Sequence, residues 1–205
     1  MLLRTLFVCS CFAFFAMPLG SVYAQSNASQ AEEGSKENDL AKAQSEALKQ
    51  RINGVMKKLD QAELTHFMVM YTNYNLLSVV KAVRQDIGNA VQGCKQNNPD
   101  MLDDLNNKFA GWEKNVGGSM KEVDANIKSM GLAQDYVSQQ ELTQIYALVD
   151  ETRAHNSSQF EKTPLTTPEA CEFMMSKMDE TQENMKKMLA ATLQSYPNMV
   201  KKNQE

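Results

Sequence analysis

Apolar residues recur at helical spacing along most of this chain. Leu48, Ile52, Val55, Leu59 and Ala62 step by four and three, the alternation of a helix buried along one stripe. The phase continues through His66, Val69 and Asn73 into Leu76, Val80, Val83, Ile87, Ala90 and Cys94. A single helix from about residue 40 to 94 would be roughly 80 Å long at 1.5 Å per residue. Asp60 with Glu63 three residues later has the spacing of a capping box and argues for a break near Leu59. Residues 40–94 therefore form either one helix or two in series.

Gly93 and the Asn97-Asn98-Pro99 run end this stretch, with Asn98 placed as an N-cap and Pro99 as the first position of the next helix. Leu102, Leu105, Phe109, Trp112, Val116, Met120, Val123, Ile127 and Met130 hold the helical period. The pair Gly117-Gly118 inside that run predicts a kink or short break, since each glycine costs about 1 kcal/mol against alanine. Ser138 with Glu141 reads as a capping box opening a helix through Leu142, Ile145, Tyr146 and Val149 to about Ser158. Thr167-Pro168 caps a last helix whose stripe is Cys171, Met174, Met178, Thr181, Met185, Met188 and Thr192, with Pro197 expected to end it. No strand pattern and no internal repeat occurs.

Amphipathic helices with short connections predict an all-α, up-down-up-down bundle with a long first helix. In that topology Cys94 ends one helix and Cys171 starts its antiparallel neighbour at the same end, which predicts an inter-helix disulfide. The expected divisions are a signal peptide over 1–24, a disordered linker over 25–38, an amphipathic helical extension over 39–60, the bundle over 61–197 and a tail over 198–205.

The first residues and the cysteines predict a compartment. Residues 1–24 read as a short basic n-region at Arg4, an apolar h-region from Leu6 to Phe15, and Val22 and Ala24 at the positions a signal peptidase reads. Cys9 and Cys11 lie inside that leader, so two of the four cysteines remain, an isolated pair suited to an oxidising compartment. The chain carries a net charge of −4, and no Lys/Arg run is interleaved with aromatics. Nucleic acid and anionic membrane surfaces are therefore poor partners, and no stable membrane insertion is expected after signal cleavage.

Candidate chemistry is sparse. His66 and Asn73 occupy stripe positions that should be apolar, with Tyr71, Tyr74 and Asn75 around them. They are read as a hydrogen-bonded network that fixes helix register. His155, the other histidine, falls near the opposite end of the bundle, which disfavours a shared metal or a bis-histidine haem. Met174, Met178, Met185 and Met188 crowd the last helix. Their spacing fits a pliable core, and soft-ligand Cu(I) binding is the functional alternative. No nucleophile elbow, metalloprotease, covalent-haem or phosphate-loop motif is present. The expectation is a secreted or periplasmic, non-enzymatic helical-bundle protein acting in protein–protein interaction or envelope assembly, without a cofactor. Its partner would be another protein or a weakly associating second copy, taken up by the stripe Leu48, Ile52, Val55 and Leu59. The rival is a periplasmic carrier of b-type haem or Cu(I) through His66 or the methionines.

Overall fold

The computed structural model describes the backbone of residues 26–159 and 162–202, and the side chains of 39, 40, 42–159 and 162–195. The expected signal peptide and its two cysteines lie outside the described residues. The chain divides into Met1–Asn38 and Asp39–Glu205. In the first unit the backbone from Ser26 onward is helical, where a disordered linker was expected. Alanine, glutamine, glutamate and lysine are good helix formers there, and extending a helix is far easier than nucleating one.

Five α-helices account for the architecture of the described residues: α1 (Ser26–Met56), α2 (Gln61–Asn97), α3 (Leu102–Leu132), α4 (Gln139–Ser158) and α5 (Pro168–Lys202), with a single 3-10 turn at Pro99–Met101. The long apolar stripe is thus two helices in series. The break is made by Asp60, whose carboxylate accepts from the backbone N–H of Ala62 (2.8 Å) and Glu63 (2.9 Å). The Glu63 carboxylate in turn accepts from the N–H of Asp60 (2.9 Å). Such a reciprocal cap is worth about 1 kcal/mol, and extended backbone at Asp60 turns the chain back on itself.

Side-chain pairs fix the helix directions. Cys94 joins Cys171, and Asn73 reaches Thr192 and Ser195, so α2 and α5 are antiparallel. Arg84 grips Glu113 with two nitrogens between α2 and α3. Lys108 meets Asp179, and Asn115 meets Gln182, so α3 and α5 run parallel. Tyr74 meets Asp150, and Asp86 meets Lys162, which aligns α4 with α2. From α2 onward the chain runs up, down, up and down, as expected, and the predicted disulfide closes one end with an S–S distance of 2.04 Å.

The core follows from this arrangement. α2 packs against α3, α4 and α5, so it buries more than one stripe: Phe67, Met70, Leu77 and Val80 are all enclosed, while Leu76 is only half-buried. α3 contributes Leu105, Trp112, Val116, Val123 and Ile127, and α5 contributes Met178, Met185 and Leu189. A second small cluster of Val91, Leu105, Cys94 and Cys171 surrounds the disulfide.

Three local expectations are corrected. α3 runs unbroken through Gly117-Gly118, because buried Trp112, Val116, Met120 and Val123 on both sides hold it to its neighbours. α5 continues past Pro197 to Lys202, since one missing N–H removes one bond of a ladder already anchored by the preceding turns. Asn98 does not cap a helix with its side chain. Its buried amide donates instead to the carbonyls of Cys94 and Thr166, 3.2 Å each, tying the 162–167 connector to the disulfide corner.

Candidate functional site

The expected interaction stripe is covered by the chain itself. Leu48 and Val55 are buried, and Ile52 and Leu59 pack against the same cluster, which includes Leu142, Ile145 and Val149 of α4. Polar contacts reinforce this seat: Arg51 donates to Glu141 (3.1 Å) and to Gln144, and Gln44 to Glu151 (3.5 Å). α1 therefore runs antiparallel to α4. The turn at Asp60 lets the chain's own α4 cover the stripe. Glu141 is half of the expected capping box. Ser138 accepts from its N–H at 3.1 Å, while its carboxylate turns away to Arg51.

The polar positions of α2 are brought to α4 and α5. His66 Nδ1 lies 2.7 Å from the Tyr136 hydroxyl, with the two rings edge to face. Burial holds the His66 imidazole below its usual range. Asn73, buried, donates to the Thr192 carbonyl and to the Ser195 hydroxyl, 3.1 Å each. His66 thus faces the connector ahead of α4, and Asn73 faces α5. His155 lies in the last turn of α4, whereas Tyr136, the partner of His66, precedes its start.

At the centre of the α2–α4 seam sits Asp150. Its two oxygens accept from the Tyr74 hydroxyl and the Ser78 hydroxyl, each at 2.7 Å. Tyr74 stacks on Tyr146 with centroids 3.8 Å apart, and the Lys81 ammonium lies over the Tyr74 ring at 5.1 Å. Burial, then the bond to Asp150, pushes the Tyr74 phenol well above its ordinary value. Burial does the same to Tyr146. Next along the seam Arg153 donates to Asn75. Sequence periodicity missed Asp150 and Arg153, because on a half-buried helix they read as solvated positions. The signal available was the tyrosine pair four residues before two of the seam's polar groups: Tyr74 before Ser78 and Tyr146 before Asp150.

The methionines divide. Met178 and Met185 are core residues, and Met174 and Met175 are half-buried near the disulfide corner. Met188 is partly exposed, and Leu189 takes the core position expected for it. Thr192, the next position of the predicted stripe, is buried again, so the departure is confined to this turn. Among the described residues no cluster of three or more His, Cys, Asp or Glu side chains is placed to hold a metal ion. No described helix is long and apolar enough to cross a membrane.

One open groove of ≈ 650 Å³ runs between α1 and α4. α1 lines it with Ala47, Gln50, Gly54 and Lys58, and the opposite wall is Tyr136, Glu141 and Leu148. Gly54 opens it: a Cβ there would meet nothing within 4 Å. No family model matches the chain, and neither a curated protein nor a solved structure is significantly similar to it.

Proposed function

We propose that this is a secreted or periplasmic, non-enzymatic binding protein that takes a segment of a partner protein into the α1–α4 groove. The groove is the observation that carries this reading. It is long, open and mixed in character, with an aromatic and an aliphatic wall residue and the polar side chains of Gln50 and Lys58 at its rim. The side chains most suited to chemistry are committed elsewhere, Asp150 to Tyr74 and Ser78 and Asn73 to α5. The disulfide supports an oxidising compartment, in keeping with the leader read from residues 1–24.

Site-specific photocrosslinking tests the groove directly. A photoreactive side chain at Gln50 in envelope extract should give a discrete adduct that a second substitution, Gly54→Arg, abolishes by filling the groove. The same probe at exposed Glu122 on α3 should not give it. An identical adduct pattern from both positions, or none from Gln50, rules the groove out.

A further inference from the structure

Arg153 lies where α1, α2 and α4 meet. It forms no ion pair among the described residues. One nitrogen of its guanidinium donates to Asn75, while its Nε is buried with no protein partner. The neighbouring Thr152 hydroxyl is likewise buried and unpartnered. Both side chains line one small cavity of ≈ 190 Å³, with Leu48 from α1, Tyr71 from α2, and Val149 and Asn156 from α4. Asp150, one turn before Arg153 on α4, already has both oxygens occupied by Tyr74 and Ser78.

A partly buried guanidinium without an anion is a costly arrangement. The donors around this cavity match one acceptor group. Arg offers a planar fork that fits a carboxylate better than a point charge does, and the Thr152 hydroxyl adds a donor beside it. Arg153 is the only cation in the lining, so a singly charged ligand balances it, whereas a phosphate would not be balanced. Leu48 and Val149 supply an apolar wall. Burial also keeps the Tyr71 phenol protonated, and so able to donate.

We propose that this cavity binds a small carboxylate carrying a short apolar chain, its oxygens held by Arg153 and Thr152 and its chain laid against Leu48 and Val149. The site is separate from the α1–α4 groove and does not depend on that reading. The ligand is either a free short-chain acid or the C-terminal carboxylate of a peptide.

The test is an NMR titration of the disulfide-intact chain, following the Arg153 Nε–H resonance. The probes are sodium butyrate, N-acetyl-leucine as a peptide-terminus mimic, neutral butyramide, and sodium chloride at matched ionic strength. The expected result is a saturable shift with at least one carboxylate and none with butyramide or chloride. Tighter binding of N-acetyl-leucine assigns the site to peptide termini, and tighter binding of butyrate to free acids. Thr152→Val should weaken binding by about tenfold, the loss of one charge-assisted hydrogen bond. Arg153→Gln should abolish it. If Arg153→Gln does not fold, the Thr152→Val result stands in its place. No saturable shift with either carboxylate, an equal shift with butyramide, or unchanged affinity in folded Arg153→Gln and Thr152→Val overturns the proposal.

Discussion

The α2–α3–α5 half of the molecule and the α1–α4 layer are held by different physics. In the first half, Trp112, Val116 and Ile127 share a core with Met178, Met185, Leu189 and Leu77, and Leu105 and Val91 pack around the disulfide that closes one end. In the second, among the described side chains, α4 buries Leu142, Ile145 and Val149, and α1 buries Leu48 and Val55. The polar cost is distributed the other way. Buried polar atoms without a protein partner include Gln44 Oε1, Tyr146 OH, Thr152 Oγ1, Arg153 Nε and His155 Nε2 on α1 and α4, against Trp112 Nε1 in the other half. Each such atom costs about 1–3 kcal/mol if nothing satisfies it. Apolar burial thus makes α2–α3–α5 the stable frame, and the α1–α4 layer sits at the low end of local stability, where binding surfaces are generally drawn from.

The largest effect should come from opening the frame. Replacing both Cys94 and Cys171 by serine frees a loop with a sequence separation of 77 and should cost about 4 kcal/mol in the chain-entropy account. Urea denaturation measures this as a lower midpoint. Amide exchange on the variant should show protection falling across α2, α3 and α5. If the loss is confined to α1 and α4, the division into frame and layer is wrong.

Next comes the polar seam joining the two halves. Asp150→Ala strands two hydroxyls in a tight site and should cost about 2–3 kcal/mol, whereas Tyr74→Phe should cost about 1 kcal/mol. The double variant should lose less than the sum, because both changes break the same contact. Full additivity would mean that the 2.7 Å bond between them contributes nothing to holding α4.

Most of the frame was legible in the residue pattern, and most of the layer was not. The α3 stripe from Leu105 to Met130 is a simple amphipathic repeat, and its buried residues fall where the spacing puts them. The disulfide followed from the up-down topology together with the cysteine count, Cys94 and Cys171 being the two outside residues 1–24. α1 was harder. Its stripe was visible, but spacing cannot say which surface covers it, and the turn at Asp60 that brings α4 within reach is set by one carboxylate. Gly117-Gly118 illustrates the opposite limit: a local helix preference of about 1 kcal/mol per glycine yields to the packing of its flanking residues. Asp150 and Arg153 were invisible because their partners Tyr74, Ser78 and Asn75 lie more than 70 residues away.

Glycines allow the two halves to be compared with matched substitutions. Gly54 in α1 and Gly117 in α3 are both interior to helices, and a Cβ at either meets nothing within 4 Å. Alanine at each should stabilise its helix by about 0.5–1 kcal/mol. For Gly117→Ala the whole gain should appear in global unfolding. For Gly54→Ala it should appear there only to the extent that α1 unfolds together with the frame. A gain in α1 amide protection without a change in the urea midpoint would identify α1 as a separately opening unit.

The smallest effect concerns His66, which links α2 to Tyr136 ahead of α4. Its imidazole is only partly buried, so solvent screens much of the interaction. Burial lowers its proton affinity in the folded state relative to the ordinary value of 6.5. The unfolded chain therefore binds more protons as pH falls through that value, and stability should decline as pH drops below 6.5. Above it the contribution is fully present. Comparing thermal midpoints about one unit on either side should show a modest drop on the acid side beyond that of a His66→Gln variant. The glutamine side chain cannot take up a proton and keeps a polar group near Tyr136, so the difference between the two proteins isolates the imidazole from the many exposed carboxylates. A wild-type and variant pair with parallel pH profiles would show that the contact with Tyr136 survives protonation, and that this end of the layer is insensitive to acid.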